Sequence, residues 1–179
     1  LYGGSTLFDY AYVSSKWVFN LPTQDYYGFF VKGGPLTYPN YTYLSGSQTQ
    51  ANVFYNHNIT RDLTLYLEAG GDKTFASQAA YSSNGFYGTI GSQIAWDSTN
   101  IQANLKASVL QRNYMDSDPL WGETRRDSGQ LYWLSISKRD LYILGLRPSI
   151  DITYQTNNSN IPFFAYNKLF GGIFFKNVY

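Results

Sequence analysis

IQANLKASV, residues 101–109, alternates without a break. Ile101, Ala103, Leu105, Ala107 and Val109 form one set, and Gln102, Asn104, Lys106 and Ser108 the other. Successive side chains of a strand point to opposite faces, so this stretch has one apolar and one wet face. The pattern spreads outward in both directions. Leu63, Leu65, Leu67 and Ala69 alternate with Thr64, Tyr66 and Glu68. Ile90, Ile94 and Trp96 alternate with Thr89, Gln93 and Asp97. Leu146, Pro148, Ile150, Ile152 and Tyr154 alternate with Arg147, Ser149, Asp151, Thr153 and Gln155. In residues 48–59, Thr49, Ala51, Val53, Tyr55 and Ile59 oppose Gln48, Gln50, Asn52, Asn56 and Asn58. Helical spacing is nowhere sustained over three turns.

This pattern predicts strands over 7–20, 26–32, 41–59, 63–74, 85–97, 100–113, 129–138, 144–156 and 166–178. Pro22, Pro35 and Pro39 punctuate the first three. Short connections at 60–62, 97–99 and 138–140 alternate with long polar ones at 70–84, 113–128 and 156–166. In an antiparallel meander, alternate connections lie at opposite ends of the sheet. One end is then tight and the other long-looped, as in bacterial outer-membrane barrels. Strands of this length also suit a tilted crossing of the hydrocarbon, which needs about 9–11 residues. Soluble sandwiches use shorter strands, and their wet faces carry more Lys, Glu and Arg. The expected fold is all-β: a transmembrane antiparallel up-and-down β-barrel, or the C-terminal eight or nine strands of a larger one. Residues 1–179 form a single outer-membrane domain in this reading.

Composition agrees with it. Charged residues are 14% of the 179 and aromatics 19%, with 18 Tyr. The mean hydropathy of -0.32 excludes a helical membrane protein but not a barrel, whose strands are half polar. The most apolar run, LYILGL at 141–146, is far shorter than the ~20 residues of a spanning helix. No secretory signal peptide opens the chain. Lys plus Arg is 13 against 12 Asp plus Glu, a balance unlike that of a nucleic-acid binder. With no Cys and one His, thiol catalysis, Cys zinc sites and His-rich metal sites are excluded. No cofactor and no metal are expected.

Charges on the wet face are Glu68, Lys106, Arg112, Arg147, Asp151, Lys168 and Lys176. A Lys or Arg facing lipid at mid-depth costs about 2–4 kcal/mol, so these seven are expected to line the lumen. They either brace it or form a substrate path. Arg147 and Asp151 are about 13 Å apart along one strand face at roughly 3.3 Å per residue, too far to pair with each other. Lys168 or Lys106 is the expected partner of Asp151. His57 falls with Tyr55 and Ile59 on the apolar face beside a tight turn, a rim position without a nucleophile beside it. The chain is therefore expected not to be an enzyme. Asp116-Ser117-Asp118 lacks the Gly and distal Glu of a calcium loop. The loop 156–166 is expected to be external and functional. Its Ser159 and Asn160 favour tight turns, and Phe163 and Phe164, if extended, cannot both face one side. Ile173, Phe175 and the final Tyr179 share a face, matching the signal read by the barrel insertion machinery. Residue 179 is accordingly expected to be the true C-terminus.

The run RRDSGQLYWLSISKRDLYILGLRPSIDITYQTNNSNIPFFAYNKLFGGIFFKNVY, the last 55 residues, resembles the C-terminal barrel of the surface lipoprotein assembly modifiers, or Slam proteins. The carriers are the Arg126-Asp127 pair opening a strand and the Gly145-Leu146-Arg147-Pro148 strand entry. Tyr154, the Ser159-Asn160 loop and the aromatic return strand ending in Lys176 to Tyr179 complete the match. Residues 1–120 match only in barrel style. The resemblance implies an N-terminal periplasmic repeat domain outside this chain. It also implies a bacterial outer-membrane barrel that assists surface display of a lipoprotein or protein substrate. Its partners would be outer-membrane lipids, the insertion machinery and a lipoprotein client, with no nucleic acid. Two alternatives stand beside it: a polysaccharide-export or diffusion porin, and a structural or adhesive small barrel.

Overall fold

The computed structural model describes residues 8–176. Its elements are β1 (Asp9–Tyr10), β2 (Val13–Asn20), β3 (Tyr26–Thr37), β4 (Gly46–Thr60), β5 (Leu63–Ala76), β6 (Ser83–Trp96), β7 (Ile101–Ser117), β8 (Thr124–Lys138), β9 (Arg147–Ser159) and β10 (Tyr166–Lys176). Three one-turn 3-10 helices, Thr42–Leu44, Ala79–Tyr81 and Pro162–Phe164, are the other regular elements. All ten strands form one antiparallel up-and-down sheet in chain order, with β1 and β2 both laid on β3. Pro35 lies opposite the gap between β1 and β2, where the neighbouring ladder is interrupted and a missing N–H matters least. The sheet does not close: among the described residues, β2 and β10 each have one unpaired edge.

Burial is inverted relative to a water-soluble domain. The buried residues are mainly polar, among them Asn56, Thr89, Ser135, Ser149, Thr153 and Asn157. Large aliphatics stand in the open: Val53 is 60% exposed, Val109 59% and Ile173 67%. The register explains why. One rung joins Leu63, Ile94, Ala103, Ile136, Ile150 and Ile173 across six strands, all on one face. Another joins Leu67, Ile90, Ala107, Tyr132, Tyr154 and Leu169. Further along, the same face turns polar at Lys73, Asn84, Asn113 and Arg126. The apolar stretch of β7, residues 101–109, covers about 27 Å of strand at roughly 3.3 Å per residue. At the tilt of a barrel strand that is about 20 Å of height, close to the ~25 Å band of transmembrane barrels. Among the described residues no helix is long and apolar enough to cross a membrane.

The connections correct the sequence reading. The expected long loops at 70–84, 113–128 and 156–166 shrink to 77–82, 118–123 and 160–165, because polar strand ends continue to pair. These ends project beyond the apolar band with both faces wet, and composition does not separate such a strand from a loop. At the opposite end the corner at 138–140 is longer than expected. It runs over 139–146 and includes an Ile143↔Leu146 bridge, with Leu144 and Gly145 at φ 53° and 79°. The strand expected from 144 therefore begins at Arg147. The strand expected from 41 begins instead at Gly46, after the 3-10 turn at Thr42–Leu44.

Candidate functional site: the polar face

The polar face is braced by side chains that reach over a strand, and glycines leave them room. Arg112 on β7 crosses β6 to Asp72 on β5, its Nη2 donating to both carboxylate oxygens at 2.9 Å. Between them lies Gly85, where a Cβ would collide with the Asp72 carboxylate. Tyr87 on β6 crosses Gly70 on β5 to reach β4, where Gln50 and Asn52 donate to its hydroxyl oxygen at 2.9 Å. A Cβ on Gly70 would sit 2.9 Å from that oxygen. Glu68 accepts from Asn52 at 2.6 Å, from Tyr87 at 2.8 Å and from Tyr66. Lys176 on β10 crosses β9 to Ser135 on β8 at 3.0 Å, and also meets Asp151 at 2.9 Å. Ser135 in turn donates to Asp151 at 2.6 Å. Apolar-face ring contacts such as Trp17–Phe29 and Tyr132–Tyr154 join only adjacent strands. Contacts that skip a strand occur on the polar face, so the sheet curls toward it.

The seven charges expected on one face, Glu68, Lys106, Arg112, Arg147, Asp151, Lys168 and Lys176, do lie on this face by register. Their pairing differs from the expectation. Asp151 takes Lys176, not Lys168 or Lys106. Lys168 lies over the Tyr166 ring at 4.3 Å and Lys106 over Tyr66 at 5.8 Å. Arg147 donates to the Tyr142 hydroxyl at 2.8 Å. Sequence reasoning missed Asp72, where the expected strand 63–74 and connection 70–84 overlap, Asp127, in the expected connection 113–128, and Lys16 and Lys32, which stand among the proline-punctuated strands. The usable signal for Asp72 was Gly85, a small residue placed between two opposite charges in the register.

At the tight-turn end, Asp25 from the β2–β3 turn is buried against β4. It accepts from the Tyr55 hydroxyl and the Asn58 N–H at 2.9 Å each, and its carboxylate lies 2.9 Å from His57 Nδ1. The His57 ring, then the Asn58 N–H, hold its carboxyl down at about 2. His57 thus sits on the apolar face near the turn and fastens a hairpin. Asp97 is also held low, chiefly by Arg139. At the other end Phe163 and Phe164 are not extended. They occupy a 3-10 turn with their rings T-shaped at 5.3 Å. Phe163 is 73% exposed beside Trp121, while Phe164 covers the Arg125 guanidinium at 3.6 Å. Arg125 pairs with Asp127 at 2.5 Å. Asn160 ties the loop to β8, accepting from Arg126 N–H at 2.6 Å and donating to the Thr124 carbonyl at 3.0 Å. The Ser159 hydroxyl oxygen accepts from the Ile161 N–H at 3.3 Å. Ile173 and Phe175 lie on the apolar face of β10 opposite Ile150 and Pro148. Tyr179 lies outside the described residues.

Comparison with known proteins adds one finding. The family model described as "Surface lipoprotein assembly modifier" matches residues 72–177. That is well over half of the chain, and it begins far upstream of the segment in which the resemblance was legible. No curated protein and no solved structure matches. The family's description names a role in the assembly of surface lipoproteins and no reaction. With the polar network on one face and the apolar band on the other, the match places this chain in the surface lipoprotein assembly modifier family.

Proposed function

We propose that this sheet is the wall of an outer-membrane β-barrel that assists translocation and surface display of a lipoprotein. The observation that carries the reading is the inverted burial: a hydrogen-bonded polar interior face backed by an exposed apolar band. Hydrocarbon tolerates that band, and water inside a barrel tolerates the other face. The unpaired edges of β2 and β10 bear on closure. An open edge in lipid leaves backbone groups unsatisfied at several kcal/mol each, so a spanning sheet must seal both. They pair with each other or with strands from elsewhere in the protein. On this reading the seven charges line the lumen, the loop 160–165 faces the cell exterior, and Ile173, Phe175 and Tyr179 serve the insertion machinery. The test is co-expression of the full chain with a surface lipoprotein in a Gram-negative host. Protease accessibility of the lipoprotein on intact cells should require this protein, which itself should run heat-modifiably on gels. A client displayed equally without it, or a protein soluble in plain buffer, would overturn the reading.

A further inference from the structure

The near-neutral chain conceals a strong separation of charge. The polar face carries eight of the 13 Lys and Arg but only four of the 12 Asp and Glu. The remaining acids lie at the strand ends and in the turns and loops. Three of the eight cations are matched: Arg112 with Asp72, Arg125 with Asp127 and Lys176 with Asp151. The fourth acid, Glu68, is held by an amide and two tyrosine hydroxyls. Lys16, Lys32, Lys106, Arg147 and Lys168 have no carboxylate partner among the described residues.

Each of these five rests on an aromatic ring instead. Lys16 lies 4.9 Å from the Phe54 centroid, Lys32 5.7 Å from Tyr10, Lys106 5.8 Å from Tyr66, Arg147 5.4 Å from Tyr142 and Lys168 4.3 Å from Tyr166. A ring face holds a cation in place without cancelling its charge. These cations are therefore positioned yet still able to take an anion. Around Lys106 the wall opens into a cavity of about 300 Å³, lined by Asn56, Tyr66, Gln93, Asn104 and Trp133 and floored by Gly91. None of its lining residues is an acid. Side-chain amides both donate and accept, so they can bond a peptide backbone in any register without reading its sequence.

We propose that the polar face is an anion-binding track for an extended, carboxylate-rich polypeptide segment, with Lys32, Lys106 and Lys168 as its principal cations. The track rests on the export reading and names the cargo chemistry for it. Binding can be measured apart from export. The full chain in detergent is titrated with a fluorescent peptide containing six Glu, and with length-matched peptides containing six Gln or six Lys. The Glu peptide should bind tightest, and weaken as salt rises. The triple variant Lys32→Gln, Lys106→Gln, Lys168→Gln should bind it about tenfold more weakly, as expected for three exposed charge pairs. Lys73→Gln, on the apolar-face side of β5, should bind as the parent does. Should the triple variant not fold, wild-type protein still answers: the Glu peptide should shield Lys106 from an amine-acylating reagent, and the Gln peptide should not. Equal binding of the Glu and Gln peptides, equal loss in the Lys73 variant, or an unshielded Lys106 would each overturn the track. None of these results touches client display, whose failure would count against the export reading alone.

Discussion

Asp151 has two lysines at equal reach. Its register partner is Gly172, and Lys168 and Lys176 lie four residues to either side of it on β10. Alternation puts these three charges on one face, but only the register shows this symmetry, and only the neighbours break it. Lys168 is drawn onto the Tyr166 ring, while Ser135 links Asp151 to Lys176. The glycine gaps are a sharper test at this scale. Gly85→Ala should push Arg112 off Asp72 and leave buried charge poorly paired, costing about 1–3 kcal/mol. Gly88→Ala, on the other face of β6 with only Val109 at 3.9 Å, should stay within about 0.5 kcal/mol. Urea unfolding in detergent, read by heat-modifiability, separates the two; equal costs would show that the gap is not what matters. Asp25 offers a pH signature. Its carboxyl is depressed on folding, so its stabilisation is complete above its ordinary value of 3.8 and disappears as pH falls toward about 2. Proteolytic nicking at residues 21–25 should therefore rise between those limits, and Asp25→Asn should flatten the profile.

Alternation made the strands legible, because a period of two survives any length of strand. It could not mark where they end. Asn84, Arg126 and Asn157 fall in the expected connections, yet they sit in rungs that extend past the apolar band. The turn at 139–146 went unread for the opposite reason: LYIL is apolar, as a strand would be, but it is exposed, with Leu144 at 97%. Leu144 also adopts a left-handed conformation in a two-residue turn with Gly145, a geometry that favours Asn-Gly. Leu144→Asn should therefore stabilise the hairpin by about 0.5–1 kcal/mol. The same unfolding assay measures it, and a destabilised variant would mean that Leu144 makes a contact outside this chain.

Recognition of the family rested on 55 residues, while the family match covers 72–177. The upstream half of that match is plain alternation, which many barrels share, whereas the Arg126-Asp127 and Gly145-Leu146-Arg147-Pro148 signatures sit downstream. Closure was not legible at all, since alternation says nothing about which edges meet. The chain has no Cys, so introduced pairs act without background. A cysteine at Leu169 on β10, combined in turn with one at Ser15, Trp17 or Phe19 on β2, should form a disulfide in membranes if the edges meet directly. Heat-modifiable protein with no disulfide at any of the three would instead require additional strands between them.

The over-strand braces divide the wall unevenly. Tyr87 and Arg112 tie β4 through β7 together, and Lys176 ties β8 through β10. Among the described residues no side-chain hydrogen bond or ring contact of the polar face skips a strand across the β7–β8 pair. The wall is thus two stiff panels joined along a crease where, on that side, only adjacent-strand contacts such as Arg125 over the Tyr114 ring at 4.6 Å supplement the backbone ladder. Glycine, usually a source of slack, here admits the struts that stiffen one panel. On the proposed export reading, bending imposed by a passing chain would concentrate at the crease, and Lys106, on the last strand of the first panel, stands directly beside it.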